Sequence, residues 1–107
     1  MAFHVLESGT TFRALIRALQ MYTVRGKSVW IERHAFEGMS SERPPVSTQE
    51  VMTTIEKPDG VEREAGTREK AWRWIGQRTI IVYYDELEDE IHVKAVSGTR
   101  RKIQAGT

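Results

Sequence analysis

The sequence contains no cysteine, and none of its apolar runs approaches the roughly 18 residues that span a membrane as a helix. Disulfides and thiolate zinc sites are therefore excluded, and a cysteine-free chain is typical of a reducing compartment. The first residues also lack the basic and apolar regions of a standard secretory signal. Together these absences predict a cytoplasmic protein that does not associate with membranes.

An excess of charge of one sign is also missing. Sixteen Lys and Arg residues balance 15 Asp and Glu residues, so the 107-residue chain has a formal net charge of +1. This net charge does not indicate a nucleic-acid partner, so any electrostatic binding site must be a local cluster of charges. The length is that of one domain with a single two-layer core, which we assign to residues 1–107.

Apolar spacing and capping residues predict three helices. A stripe at helical spacing predicts an amphipathic helix over residues 10–25, and its members are Phe12, Leu15, Ile16, Leu19 and Tyr22. A short helix follows over residues 34–39 and ends before the Pro44-Pro45 loop. The third helix, from Thr48 to about Glu56, has the most complete start, because Ser47 and Glu50 form a capping box.

Clusters of β-branched and aromatic residues predict the strands. Short strands are expected at residues 3–6 and 28–33, and a meander of four at residues 61–65, 70–75, 78–84 and 90–96. The Gly76-Gln77 pair has the form of a type II′ hairpin turn between the middle two. In the last strand, Ile91, Val93 and Ala95 should share one face. The order predicts an α+β domain whose helices pack on an antiparallel sheet of about four strands.

Residues 30–102 resemble a small uncharacterised domain family related to the RelE, ParE and BrnT toxins. The matching features are Ile31, His34 and Ala35 at the start, Met39, the stretch from Glu50 to Asp59, and strands that end near Thr99-Arg100. The resemblance implies a RelE-like fold over residues 28–103, with residues 1–27 as an added N-terminal extension. It departs from the family at Gly38, where members commonly have a basic residue, and at residues 40–46, which replace an Arg-Gly-Ile turn.

The resemblance implies metal-independent cleavage of RNA by an endoribonuclease. In several relatives a base removes the proton of the ribose 2′-OH and cations stabilise the charged phosphorane. Relatives of the ParE kind act on a protein target instead, and many members of this family have no established activity. Similarity of fold alone therefore does not establish function.

Five residues are the predicted catalytic set. His34 is the proton-transfer residue, because an imidazole titrates near neutral pH. Arg100 and Arg101 form the phosphate clamp, and Lys94 or Tyr83 assists. The competing interpretation is structural: a histidine at a helix start often donates to a backbone carbonyl and packs its ring, and a basic tail is often simply solvated.

Other polar and aromatic residues have equally open interpretations. His92 is flanked by acidic residues, so cross-strand pairing explains it, and the segment from Asp85 to Glu90 either pairs with the basic tail or forms a solvated turn. Trp72 and Trp74 share one face of a strand, where core packing is favoured over stacking on RNA bases. Tyr83 and Tyr84 point to opposite faces, and the sequence does not decide which one reaches a cleft.

No cofactor or metal is expected, because three histidines without metal-binding spacing make a weak site. RNA is one predicted partner, and an antitoxin, another protein or a second copy of the chain is the other. The main alternative function is accordingly a non-catalytic interaction or oligomerisation module that uses the added N-terminal helix. DNA binding is weaker, because the helix over residues 48–56 is not basic.

Overall fold

A computed structural model describes residues 22–103 of the protein. In chain order the elements are β1 (Thr23–Val24), β2 (Lys27–Ile31), helix α1 (Arg33–Ser41), helix α2 (Thr48–Glu56), β3 (Gly60–Ala65), β4 (Arg68–Ile75), β5 (Arg78–Glu86) and β6 (Glu90–Thr99). The predicted strand at residues 3–6 and the predicted helix over residues 10–21 lie outside the described residues.

All six strands belong to one mixed sheet in the order β1-β2-β6-β5-β4-β3. The chain leaves β2 through the two helices and enters the far edge at β3. It then returns as an antiparallel meander, which brings β6 alongside β2 in parallel. The predicted meander and the edge position of residues 61–65 are confirmed.

The predicted fold class is wrong. In place of a RelE-like antiparallel sheet of four strands, the described residues form six strands with one parallel pair and two helices, and 49% of them are in strands. The predicted first helix does not reach residue 25, because Thr23–Val24 is a strand. Arg25 and Gly26 both have positive φ, at 53° and 76°, and this tight turn pairs Val24 with Lys27.

Two local predictions are confirmed. The Glu50 N–H donates to the Ser47 hydroxyl at 3.1 Å, and the Ser47 N–H donates to the Glu50 carboxylate at 2.8 Å, so the capping box begins α2 as expected. Between β4 and β5, Gly76 has a φ of 68°, as the first central position of a type II′ turn requires.

A bulge in β6 changes which side chains face the core. Tyr83 pairs with Ala95 and Tyr84 pairs with Val93, which leaves Lys94 as an extra residue. The shift turns Ala95 away from the helices and buries Val96 in its place. The predicted grouping of Ala95 with Ile91 and Val93 is therefore wrong.

The core lies between the two helices and one face of the sheet. Its buried members from the helices and the loop between them are Ala35, Met39, Val46, Val51, Met52 and Ile55; those from the sheet are Val24, Val29, Ala71, Ile80, Val82, Tyr84, Ile91, Val93 and Val96. Helix α1 lies so close to β6 that a Cβ at Gly38 would collide with the Val96 carbonyl oxygen. Glycine at position 38 thus has a steric reason in this chain.

Candidate anion-binding cleft

A cleft of about 420 Å³ opens at the end of the sheet where the β4–β5 turn meets the end of β6 and the loop after α1. Its lining residues come from three separate parts of the sequence: Glu42, Arg43, Pro44 and Glu50; Ile75, Gly76, Gln77 and Arg78; and Gly98, Thr99 and Arg100. Three arginines and two glutamates are among these lining residues, so the lining carries one excess positive charge. We call this space the arginine cleft.

Arg78 fixes the wall of the cleft. Its side chain is only 12% exposed, and it donates to the backbone carbonyls of Pro44 and Pro45, the second at 3.0 Å. Its guanidinium also lies 3.5 Å from the Glu50 carboxylate. Because these carbonyls accept hydrogen bonds from the guanidinium, Arg78 holds the proline loop against the sheet.

Arg43 and Arg100 are the more available cations. Arg43 donates through one nitrogen, Nη1, to the carbonyls of Ser40 and Glu42 at 2.9 and 3.0 Å. The Arg100 side chain is exposed and has no hydrogen bond or ion pair within the part of the chain that the structure describes. The backbone beside it is fixed, since the Thr79 hydroxyl donates to the Arg101 carbonyl at 2.6 Å.

Glu42 brings a carboxylate into the same cleft. A Cβ built at Gly98 would lie 3.2 Å from the Glu42 Oε1 atom, so the glycine leaves room for the carboxylate against β6. Guanidinium groups can bind a phosphate, and a neighbouring carboxylate can accept a proton from a hydroxyl. The arginine cleft therefore holds side chains that can bind an anion and one that can accept a proton.

Of the five predicted catalytic residues, Arg100 alone lines this cleft. His34 is exposed in the first turn of α1, whereas Glu42 and the cleft follow the other end of that helix. Eight residues of helix separate them by about 12 Å at 1.5 Å per residue. Arg101 is exposed next to Arg100 but does not line the cleft.

Lys94 and Tyr83 are also placed elsewhere. Lys94 lies six residues before Arg100, which is about 20 Å along a strand. Its ammonium group is 3.1 Å from both carboxylate oxygens of Glu32. Tyr83 lies on the sheet face opposite the helices, with the Lys70 ammonium 5.9 Å from its ring centroid. The structure thus separates the predicted proton-transfer, clamp and auxiliary residues.

Glu32 gathers a small charged cluster near the start of α1. Its carboxylate contacts Lys94 and lies 3.4 Å from His92 Nδ1, while His92 Nε2 is 2.7 Å from Glu90. Partial burial acts to raise the pKa of Glu32, but the hydrogen bonds and charges of Lys94 and His92 outweigh it and leave this pKa below its ordinary value. The cross-strand pairing expected for His92 is thus accompanied by a bond to the neighbouring Glu90.

The acidic segment lies at the opposite end of β5 and β6 from the cleft. Asp85 accepts from Arg68 at 2.8 Å, and Glu86 binds Arg25 at 2.6 Å and Lys27 at 2.9 Å. Hydrogen bonds from these cations, Arg68 for Asp85 and chiefly Arg25 for Glu86, hold the pKa of each carboxyl below its ordinary value. Asp85 and Glu86 therefore pair with these cations of the sheet, and Arg100 and Arg101 form no ion pair with the acidic segment.

The aromatic side chains are divided between the two faces of the sheet. Tyr84 is buried in the core, and burial raises the pKa of its phenol, although Arg25 opposes this shift. Trp72 is 4% exposed but lies on the other face and outside the core cluster. Trp74 shares that face, with the Lys102 ammonium 5.1 Å from its ring centroid. The predicted burial is confirmed for Trp72, but neither Trp72 nor Trp74 packs against α1 or α2, because both belong to the opposite face.

Sequence reasoning missed Glu42, Arg43 and Arg78. These residues stand in or beside turns, where charged side chains are ordinary, and nothing local marks them as a group. The only local signal is that Arg43 precedes Pro44-Pro45 and Arg78 follows Gly76-Gln77, so both flank turns that the sequence did predict.

Within residues 22–103, no cluster of three or more acidic or histidine side chains could hold a metal ion. In the same residues, no helix is long and apolar enough to cross a membrane. Comparisons with protein-family models, with curated proteins and with solved structures find no match to this chain. These comparisons therefore do not link it to the RelE, ParE and BrnT toxins.

Proposed function

We propose that the protein acts on RNA and binds the phosphodiester backbone of a single strand in the arginine cleft. The observation that carries this proposal is that Arg43, Arg78 and Arg100 surround one cleft and that Arg100 has no ion-pair partner among residues 22–103. Guanidinium groups match the geometry of phosphate oxygens and supply most of the affinity for a nucleic-acid backbone.

The distribution of the remaining charge supports the same site. The turn that contains Glu88 and Asp89 lies at the far end of the β5–β6 pair, about 25 Å from the cleft at 3.3 Å per residue. A polyanion that approaches the cleft end is therefore distant from the exposed carboxylates of this turn. Duplex recognition by α2 gains no support, because this helix contains no Lys or Arg.

Cleavage at this site would use Glu42 as the base in place of His34. Glu42 would take the proton of a ribose 2′-OH while the 2′-oxygen attacks phosphorus. The 5′-oxygen would leave with a proton from water, giving a 2′,3′-cyclic phosphate and a 5′-hydroxyl. Arg43 and Arg100 would stabilise the charged phosphorane. This chemistry needs no metal ion and preserves the predicted reaction at a different set of residues.

Binding is tested by fluorescence anisotropy of a labelled single-stranded RNA with Arg100→Ala. One lost phosphate contact corresponds to about a fivefold loss of affinity at 0.1 M salt. The matched control is Arg33→Ala, which removes an exposed arginine of α1 without touching the cleft. Equal affinities of the two variants would refute the proposed site. A single-stranded DNA of the same sequence reports whether the 2′-OH contributes to affinity.

Cleavage is tested with an end-labelled structured RNA in excess EDTA. Wild type is compared with Glu42→Gln, His34→Ala and Arg100→Ala/Arg101→Ala. Loss of 2′,3′-cyclic ends in Glu42→Gln but not in His34→Ala places the chemistry in the cleft, and the reverse pattern restores His34 as the base. If the folded wild type binds RNA but leaves it intact, the function is binding alone.

A further inference from the structure

Trp74 lies at the same end of the sheet as the arginine cleft. It is the last residue but one of β4 and directly precedes Ile75, Gly76 and Gln77, which line the cleft. Its side chain is partly exposed on the sheet face opposite the helices, which we call the outer face. A tryptophan ring therefore lies next to a site that carries excess positive charge.

Neighbouring strands cover Trp74 less than Trp72. The pairing of β3 with β4 begins at Gly60, which lies opposite Trp72, so it does not extend to Trp74. On the other side, Trp74 lies beside Thr79, whose side chain is small. Trp72 is only 4% exposed, whereas Trp74 retains accessible surface. Of these two tryptophans on β4, Trp74 is the one that a ligand can reach.

The backbone that carries Trp74 is held in place. Its N–H donates to the Asp59 carboxylate at 2.7 Å. The neighbouring Arg73 donates to the Lys57 carbonyl at 2.7 Å and lies 3.8 Å from the same Asp59 carboxylate. The indole thus projects from a fixed backbone, and Arg73 partly neutralises the carboxylate at this corner, which would otherwise repel an anion.

A basic segment, Arg100 to Lys102, connects the cleft to this ring. All three side chains are exposed, and Arg100 lines the cleft. The Lys102 ammonium lies 5.1 Å from the centroid of the Trp74 ring, within range of a cation–π interaction. Between them, the Arg101 carbonyl accepts from the Thr79 hydroxyl at 2.6 Å, and Thr79 is the cross-strand partner of Trp74. The basic segment is therefore attached to the sheet between the cleft and the indole.

The strand register gives the distance from the indole to the cleft. Trp74 pairs with Thr79 on β5, and Thr79 pairs with Thr99 on β6, so the three residues form one row across the sheet. The row spans two strand spacings, which is about 10 Å. Arg100 follows Thr99 directly. A base at Trp74 and a phosphate at Arg100 can therefore belong to adjacent nucleotides of one strand.

We propose that Trp74 stacks a base of the strand whose phosphate binds in the arginine cleft, and that Lys102 contacts the next phosphate. The inference rests on the proposed function, because it takes RNA in the cleft as its starting point. An aromatic ring can stack any base, but only an unpaired base presents its face. Trp74 therefore makes the site selective for single-stranded over duplex RNA without selecting a sequence.

Binding of a labelled single-stranded RNA, measured by fluorescence anisotropy, tests the base contact. Trp74→Leu keeps an apolar side chain but removes the ring, and it should weaken binding about tenfold, as the loss of one stacked base does. Trp74→Phe keeps an aromatic ring and should retain most of the affinity. The matched control is Trp30→Leu, which changes a tryptophan stacked on His92 in the other half of the sheet and should bind as wild type does. Equal affinities of Trp74→Leu and Trp30→Leu, or of Trp74→Leu and Trp74→Phe, would overturn the proposal.

A strand of the same length that has the ribose-phosphate backbone but no bases separates this inference from the proposed function. Trp74→Leu should bind the abasic strand as wild type does, and Arg100→Ala should bind both strands more weakly. Arg100→Ala should also flatten the slope of log affinity against log salt by about 0.7, whereas Trp74→Leu should leave this slope unchanged. If Arg100→Ala alone weakens binding, the base contact is wrong and the cleft stands. If neither variant weakens binding, both proposals fail.

The wild-type protein provides a test without any substitution, because each of its three tryptophans has an indole N–H that ¹⁵N spectra detect. Single-stranded RNA should move the Trp74 signal, and the abasic strand and duplex RNA should move it less. The buried Trp72 on the same strand of the sheet is the internal control, and its signal should not move. A Trp74 signal that stays in place at saturating RNA would overturn the proposal.

Discussion

The two ends of the β5–β6 pair differ in whether their charged side chains form ion pairs. At the turn end, Asp85 and Glu86 are each bound to cations that neighbouring strands supply, and both have a lowered pKa. At the cleft end, Arg100 is exposed and unpaired within residues 22–103, although Glu42 is close by. Carboxylates at one end are used to hold strands together, whereas a cation at the other end is left available.

The difference in charge pairing distinguishes the candidate site from the turn end. Exposed ion pairs contribute little to stability, typically below 1 kcal/mol, so pairing at the turn end mainly fixes geometry. A guanidinium without an ion-pair partner stabilises the fold less than a paired one would. An anionic ligand at this cation is what we propose, and each prediction below tests one side of this comparison.

The largest effect is expected from Gly38→Ala, which disturbs the helix that carries the cleft loop. The new methyl group would collide with the Val96 backbone carbonyl, so α1 must move away from β6. Overpacking of this kind costs about 2 to 3 kcal/mol, more than the roughly 1 kcal/mol that alanine gains in helix propensity. Urea unfolding should show the loss, and Ser40→Ala on the exposed side of α1 should be nearly neutral. A stabilised Gly38→Ala protein would contradict the close packing.

Removing both available cations of the cleft comes next. The variant Arg43→Ala/Arg100→Ala should flatten the slope of log affinity against log salt by about 1.4 and weaken RNA binding about 25-fold at 0.1 M salt. The measurement is a titration of RNA at several salt concentrations. Arg25→Ala at the turn end is the control, because Arg25 is already paired with Glu86. Equal slopes for the two variants would remove the distinction between the ends.

The parts of the fold that depend on neighbours in sequence could be predicted. Ser47 and Glu50 are three residues apart, and Gly76 with Gln77 makes a turn on its own, so α2 and the β4–β5 hairpin follow from local chemistry. Val24 lies in a strand because the turn after it has positive φ at Arg25. Arginine seldom adopts this geometry, so the sequence does not indicate the turn. The parallel pairing of β2 with β6 joins residues about 60 apart and has no local pattern.

The candidate site was less predictable for the same reason. Arg100 was found because a basic cluster is visible in the sequence. Its partners in the cleft come from residues 42–50 and 75–78, which only the folded sheet brings together. The extra residue at Lys94 similarly redirects Ala95 and cannot be inferred from alternation, because a bulge is a property of the strand pair.

A smaller effect is expected at the turn end, where Glu86→Gln should lower the free energy of unfolding by about 1 kcal/mol at neutral pH. The lowered pKa means that the unfolded chain binds more protons on acidification, so this stabilisation is present above about pH 4.5 and is lost as pH falls through the folded-state pKa. Unfolding curves of wild type and Glu86→Gln should therefore converge at low pH. Glu88→Gln, in the exposed part of the same turn, should show no such dependence. A difference that persists at low pH would mean that the carboxylate charge is not its cause.

The smallest effect reverses the sign of the others, because Glu42→Gln removes a negative charge from the cleft. RNA affinity should rise about threefold, or about 0.6 kcal/mol, since a phosphate would no longer be repelled by the carboxylate beside Gly98. Binding is measured with 2′-O-methyl RNA, which cannot be cleaved through its 2′-oxygen, so that affinity is separated from any reaction. Glu37→Gln, an equal charge change on the exposed side of α1, should leave the affinity unchanged. Unchanged affinity in both variants would place the phosphate away from Glu42. A rise in Glu42→Gln alone, together with lost cleavage of ordinary RNA, would assign one carboxylate opposite effects on binding and on catalysis, as expected of a base that must sit beside the anion it helps to cleave.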